Sequence, residues 1–138
     1  ALYPPKRFFG AARTLDEGGS LTVIATTAVE TGWRLDEMIL ESLQGTANSV
    51  VRLDRRAADR RVYPAVDVVA SCTRELHRLN GEERAIKAQL LADTLVAIEA
   101  DENQQGSALD WVLERIMTTS SNAQILSGLS APDDSRDS

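Results

Sequence analysis

Residues 20–29 read Ser-Leu-Thr-Val-Ile-Ala-Thr-Thr-Ala-Val, an almost unbroken run of β-branched and small apolar side chains. A strand with one wet face alternates apolar and polar positions, so a run without alternation predicts a strand buried on both faces, as at the centre of a parallel sheet. Thr31-Gly32 breaks the run. Leu35, Met38, Ile39 and Leu43 then recur at helical spacing, with Asp36, Glu37 and Glu41 on the other side, and predict a helix over 34–43. Gly45 is placed to end that helix, and 48–53 reads as a second short strand with Val51 and Leu53 on one face. Strand, helix, strand is the signature of an α/β fold.

Beyond this point the period becomes helical. An Arg-rich segment over 54–61 has the length of two helical turns before Pro64, which biases Tyr63 toward an extended backbone, and 66–69 reads as another strand. Ala85, Ile86, Leu90, Leu91 and Leu95 line one side of a predicted helix over 81–100. A polar loop follows over 101–106. Ser107 is a natural N-cap for a second amphipathic helix carrying Leu109, Val112, Leu113, Ile116 and Met117, and a third, shorter helix is predicted over 122–126. The tail over 130–138 holds small and acidic residues with Pro132, too little apolar area to offset its ordering entropy, and is expected to be disordered.

A chain of 138 residues can bury a core without disulfides, and the lone Cys72 excludes an internal one. A reducing cytoplasm fits this usage. No apolar stretch approaches the roughly 18 residues needed to span a bilayer, and the expectation is no membrane partner. The net charge of −6 conceals two unlike halves. Residues 1–80 carry eleven basic against ten acidic groups, and 81–138 carry four against eleven. Five of the basic groups, Arg52, Arg55, Arg56, Arg60 and Arg61, cluster in one run. Guanidinium forks suit phosphate, yet the ordinary fate of such a run is a solvated or ion-paired face. The acidic second half repels nucleic acid and is expected to pack or to contact subunits.

His77 is the single imidazole and Cys72 the single thiol, so no transition-metal ligand set is assigned. Cys72 and His77 lack an orienting third group, and the adjacent carboxylates Glu82-Glu83 and Asp133-Asp134 are not arranged as an acid/base dyad. Glu17-Gly18-Gly19-Ser20 precedes a strand and lacks the Gly-Lys-Ser/Thr ending that cradles phosphates; that ending occurs nowhere in the chain. The chain opens on Ala1 without an initiating Met, which leads us to expect a piece of a longer polypeptide.

Three ordered stretches carry a resemblance. They are Pro5-Lys6-Arg7-Phe8-Phe9-Gly10-Ala11-Ala12-Arg13, then Glu17-Gly18-Gly19-Ser20-Leu21-Thr22 running into Ile24-Ala25-Thr26, and Arg61-Val62-Tyr63-Pro64-Ala65-Val66-Asp67 followed by Thr73-Arg74. Together they resemble the C-terminal part of bacterial transcription termination factor Rho, closely over 1–74 and by helical pattern over 75–129. The resemblance implies an α/β fold with a partial RecA-like parallel sheet, followed by a C-terminal helical subdomain. It implies domains over 1–74 and 75–129, with the tail over 130–138. It also implies a homohexameric, ATP-driven RNA translocase acting on nascent RNA within the transcription complex. The phosphate-binding loop, the ligands of the magnesium ion that accompanies ATP, and an N-terminal RNA-binding domain would lie upstream of Ala1, so this chain alone is not expected to hydrolyse ATP.

Residue by residue, the family's pore turn corresponds to Glu30-Thr31-Gly32-Trp33-Arg34, with Thr31, Gly32 and Arg34 in RNA-contacting places. The competing reading of Thr31-Gly32 is a plain strand-to-helix connection. Tyr63 corresponds to the aromatic that packs on adenine, against the alternative of an ordinary core tyrosine. Arg74 corresponds to the arginine finger that reaches the nucleotide of the neighbouring subunit, and Arg61 to a second interfacial arginine.

Departures from the family pattern are Trp33, a bulky residue in the pore turn; Gln44 and Ala47, where the family has Lys and Gly; and Cys72, where it has Gly before Thr-Arg. A backbone that needs positive φ at position 72 would misplace the finger. Cys72, Ala47 and Gln44 favour a second reading, a noncatalytic oligomerisation and RNA-contact module. A third, a rotary ATP synthase catalytic subunit, shares the fold, and the stretch from Lys6 to Arg13 argues against it.

Overall fold

The computed structural model describes residues 3–101 and 107–129. The tail expected to be disordered and most of the predicted 101–106 loop lie outside the described residues. The chain divides into two compact units, 1–50 and 51–138.

The first unit opens with helix α1 (Tyr3–Phe9). Its prolines stand in the first turn, where a missing N–H removes no intrahelical bond. A hairpin follows, in which β1 (Arg13–Thr14) pairs antiparallel with β2 (Ser20–Leu21), Arg13 opposite Leu21. Its turn places Gly18 and Gly19 at φ +96° and +86°, a region that costs a side chain and suits glycine. Helix α2 (Arg34–Gln44) packs against α1 and ends at Gly45, as the spacing predicts.

The buried central strand predicted over 20–29 is not formed. Only Ser20–Leu21 are strand, Ile24 is 88% exposed, and among the described residues no parallel sheet joins the segment before α2 to the one after it. The reason is the absence of neighbours. A strand apolar on both faces is stabilised only when strands flank it and layers cover it, and the unit supplies one two-residue partner.

Strand β3 (Ser49–Leu53), which runs across the division at residue 50, pairs with β4 (Val66–Thr73) of the second unit. The Asp54 N–H donates to the Ala65 carbonyl at 2.9 Å, so the end of β3 meets the start of β4 and the chain doubles back. The enclosed segment is helix α3 (Arg55–Asp59), N-capped by Asp54, whose Oδ1 accepts the Arg56 N–H at 2.8 Å. β4 runs four residues beyond the predicted 66–69. It departs from strict alternation where Asp67 Oδ1 accepts the N–H groups of Val69 and Ala70 at 3.1 and 2.8 Å.

The short helix α4 (Leu76–Asn80) then leads through Gly81 into α5 (Glu82–Ala100), followed by α6 (Ala108–Thr118) and α7 (Asn122–Ser127). Leu95, Ile98 and Ala108 form the core cluster, with Val68, Leu91, Trp111 and Val112 packed on it. The α5 face therefore runs through Leu91, Leu95 and Ile98; Ile86, predicted to line it, is 67% exposed.

Helix α6 begins with a capping box. Ser107 Oγ accepts the Asp110 N–H at 3.3 Å, and Asp110 Oδ2 accepts the Ser107 N–H at 3.0 Å. The backbone donor from Ser107 chiefly holds the Asp110 carboxyl below its ordinary 3.8, against the opposing effect of burial, with the Ser107 hydroxyl and Arg60 adding to the lowering. A depressed carboxylate contributes stability that is complete above its unfolded value and is lost as pH falls through the folded one. Thermal stability is therefore expected to decline below about pH 4, and Asp110→Asn should flatten that decline in circular-dichroism melts. Ser107→Ala should cost about 1 kcal/mol.

Candidate functional site

The Arg-rich run divides on folding. Arg56 lies 3.6 Å from Asp54 and 4.0 Å from Glu99, and Arg60 lies 3.5 Å from Asp110. Glu99 also accepts the Ala108 N–H at 3.0 Å, at the start of α6. These two guanidiniums tie α3 to the helices, the ion-paired fate weighed above. Arg61 departs from them. It closes α3 with φ +59°, a left-handed conformation held by its N–H bond to the Ala58 carbonyl at 2.9 Å, and its side chain is exposed.

Tyr63 follows two residues on and is 68% exposed, which rules out the core-tyrosine alternative. Its ring is available on the surface next to Pro64. Arg74 is exposed and stands just past the last residue of β4. The eight residues of β4, preceded by Pro64 and Ala65, lie between it and Tyr63, and the strand itself is roughly 23 Å long at about 3.3 Å per residue. The structure thus brings Arg61 and Tyr63 into one turn and puts Arg74 at the far end of the strand. Cys72 lies inside β4 and is not among the residues with positive φ. The left-handed residue is Glu75, φ +54°, whose carboxylate meets Arg78 Nε at 3.0 Å and His77 Nε2 at 3.5 Å.

In the first unit Thr31, Gly32 and Arg34 occupy the turn into α2. Glu30 and Gly32 have φ +56° and +76°. The Thr31 hydroxyl donates to Asp36 Oδ2 at 2.7 Å and accepts the Trp33 N–H at 3.2 Å. The turn is a built structure, and Thr31 is engaged in building it. Arg34 is the first residue of α2 and is exposed.

Asp36 and Glu75 were not singled out from sequence. Thr31 and Asp36 are five apart, outside the three-residue spacing of a capping box, so no spacing rule exposes the pair. Nothing in the residues around Glu75 announces a left-handed backbone. Elsewhere, an apolar cleft of about 280 Å³ between α5, α6 and α7 is lined by Leu91, Trp111 and Ile125 among others. Among the described residues no group of three or more His, Cys, Asp or Glu is placed to hold a metal ion, and no helix is long and apolar enough to cross a membrane.

The ordered motifs that hold these side chains resemble those of transcription termination factors. The chain is 47% identical over 126 residues to transcription termination factor Rho of Streptomyces lividans, 48% identical over 126 residues to that of Micrococcus luteus, and 42% identical over 131 residues to that of Cereibacter sphaeroides. These matches cover 91%, 91% and 94% of this chain but 17%, 18% and 29% of the relatives, so the chain spans less than a third of their length. No protein-family model matches it. Over the part it spans, the chain is similar throughout to the Rho transcription termination factors, and the match is consistent with a C-terminal fragment of one.

Proposed function

We propose that this chain is the C-terminal part of an ATP-hydrolysing RNA translocase that terminates transcription, working in the cytoplasm as a homohexameric ring. The observation that carries the reading is the exposure of Tyr63 and Arg74 at opposite ends of β4. An exposed guanidinium at the end of the strand remote from the adenine platform can project across a subunit boundary toward the pocket of the next subunit.

The residues present fit two ends of a nucleoside triphosphate and not its middle. Tyr63 offers a flat, exposed ring to the base. Arg74, with Arg61, offers guanidinium donors to phosphate oxygens, a fork geometry that pairs with them well. The described residues provide neither a Gly-Lys-Ser/Thr loop nor a carboxylate cluster for the magnesium ion, and these are assigned to sequence outside this chain. ATP with its metal would supply the free energy of the motor; these residues orient the base, donate hydrogen bonds to the terminal phosphate and link the site to a neighbour. In the first unit Arg34 donates to RNA phosphate, Gly32 lets the backbone approach, and Thr31 holds the turn in shape. The apolar run over 20–29 becomes the central strand of a RecA-like parallel sheet once further strands flank it. The boundary between that motor fold and the helical subdomain falls near residue 74.

The noncatalytic reading, a contact module that binds neighbours and RNA without turnover, keeps Gln44 and Ala47 in its favour. Cys72 stands beside them, in an extended strand where the family has Gly. One measurement separates the two. The protein at its natural length should hydrolyse ATP faster when single-stranded RNA is added; absence of any RNA-stimulated hydrolysis would overturn the motor reading and leave the module.

A further inference from the structure

Trp33 has no part in the assignments above, and it is the bulky departure from the family's pore turn. Its indole is 73% exposed, although an aromatic ring of this size is among the side chains that gain most from burial. Its backbone is not loose. The Trp33 N–H is held by Thr31 Oγ1, and that hydroxyl is held in turn by Asp36. Gly32, just before it, has φ +76°, and a Cβ added there would meet nothing within 4 Å, so this flank of the turn is open. A flat apolar ring is thus presented from a fixed turn beside an open approach.

Charge narrows what can sit on it. Over residues 30–37 Arg34 is the single basic group, against Glu30, Asp36 and Glu37. Three carboxylates against one guanidinium leave little net attraction for a phosphate chain, whose affinity for proteins depends on accumulated positive charge. The face of a nucleobase carries no net charge and stacks on an indole whatever the base. Arg34, next in sequence and exposed, can donate to the adjoining phosphate.

We propose that Trp33 is a stacking platform for one unpaired base of single-stranded RNA, with Arg34 on the neighbouring phosphate. The proposal rests on the RNA-binding reading above and deepens it: the turn grips a base face as well as the backbone, and so senses whether a base is present without reading which one.

The test uses the protein at its natural length, a labelled single-stranded oligocytidylate and a matching abasic ribose-phosphate strand, with fluorescence anisotropy as the readout. Trp33→Ala should weaken binding of the oligocytidylate about 5- to 100-fold, leave abasic-strand binding within about twofold because no base is there to stack, and preserve the melting temperature, since the ring is exposed. Trp33→Phe should retain most of the affinity. Arg34→Ala should weaken both strands and lower the salt slope by about 1. An equal loss on both strands for Trp33→Ala, or no loss on either while Arg34→Ala weakens binding, would overturn the platform and leave the RNA reading intact. Absence of binding to either strand by the unsubstituted protein would overturn the RNA reading, and the platform with it.

Discussion

Replacing Arg74 by Ala is expected to lower RNA-stimulated ATP turnover by about 10³- to 10⁵-fold, the range attached to arginine fingers in phosphoryl transfer, while nucleotide binding changes far less. The asymmetry follows from where charge develops. In the ground state the terminal phosphate is already neutralised by its own pocket. As the bond to the leaving oxygen breaks, charge shifts onto oxygens that a guanidinium from outside can reach. Arg74→Lys keeps the charge but not the planar fork, so it should recover only part of the rate. Single-turnover hydrolysis and nucleotide titration on the same preparations separate the two effects. The location of Arg74 adds a second arm. Because it stands at the far end of β4 from Tyr63, an Arg74→Ala subunit should keep a competent pocket of its own and damage its neighbour's. Mixed with subunits inactivated in their own phosphate-binding loop, it should restore turnover at the junctions where an intact finger faces an intact pocket. Unchanged turnover in the variant, or the absence of restoration on mixing, would remove Arg74 from this role.

The elements legible in the sequence are those whose stabilisation is local. Helix α2 announced itself by the spacing of Leu35, Ile39 and Leu43, and α6 by Ser107, because caps and helical faces are settled within a few turns of chain. The 20–29 run shows the opposite case. Its composition has the apolar content of a strand buried on both faces, and the structure forms no such strand there because the partners it would need are not local. The same distinction divides the site. Arg74, Arg61 and Tyr63 could be named from motif order, yet the separation of Arg74 from Tyr63 depends on β4 continuing to Thr73, four residues past the predicted end, through a segment whose alternation is broken by Asp67. Thr31 shows what motif order does not reveal: its hydroxyl bonds to Asp36 and to the Trp33 N–H, so it shapes the turn while lying exposed beside Trp33 and Arg34.

The second large effect is on stability, and it discriminates between the two descriptions of α5. Leu95 is 5% exposed and sits with Ile98 and Ala108 in the core, against Val68 of β4 and Trp111 of α6. Leu95→Ala removes three buried carbons from a cluster that can close only partly around the gap, which typically costs about 2–5 kcal/mol. That is a large share of the roughly 5–15 kcal/mol that stabilises an ordinary domain. Ile86 stands on the same helix and belongs to the face that apolar spacing picks out, yet it is 67% exposed. Ile86→Ala should therefore stay within about 0.5 kcal/mol of the parent. Amide hydrogen exchange across α5 and α6 reads these local free energies even inside a large assembly. Leu95→Ala should speed exchange there by about 30-fold or more at neutral pH, and Ile86→Ala should leave it nearly unchanged. Equal effects would restore the face predicted from spacing. The same pair also reaches the proposed chemistry, because Val68 links this core to the strand that Arg74 immediately follows. A displacement of about 1 Å in a catalytic group can cost about 10²-fold in rate, so Leu95→Ala should depress ATP turnover even below its unfolding temperature, where Ile86→Ala leaves turnover intact.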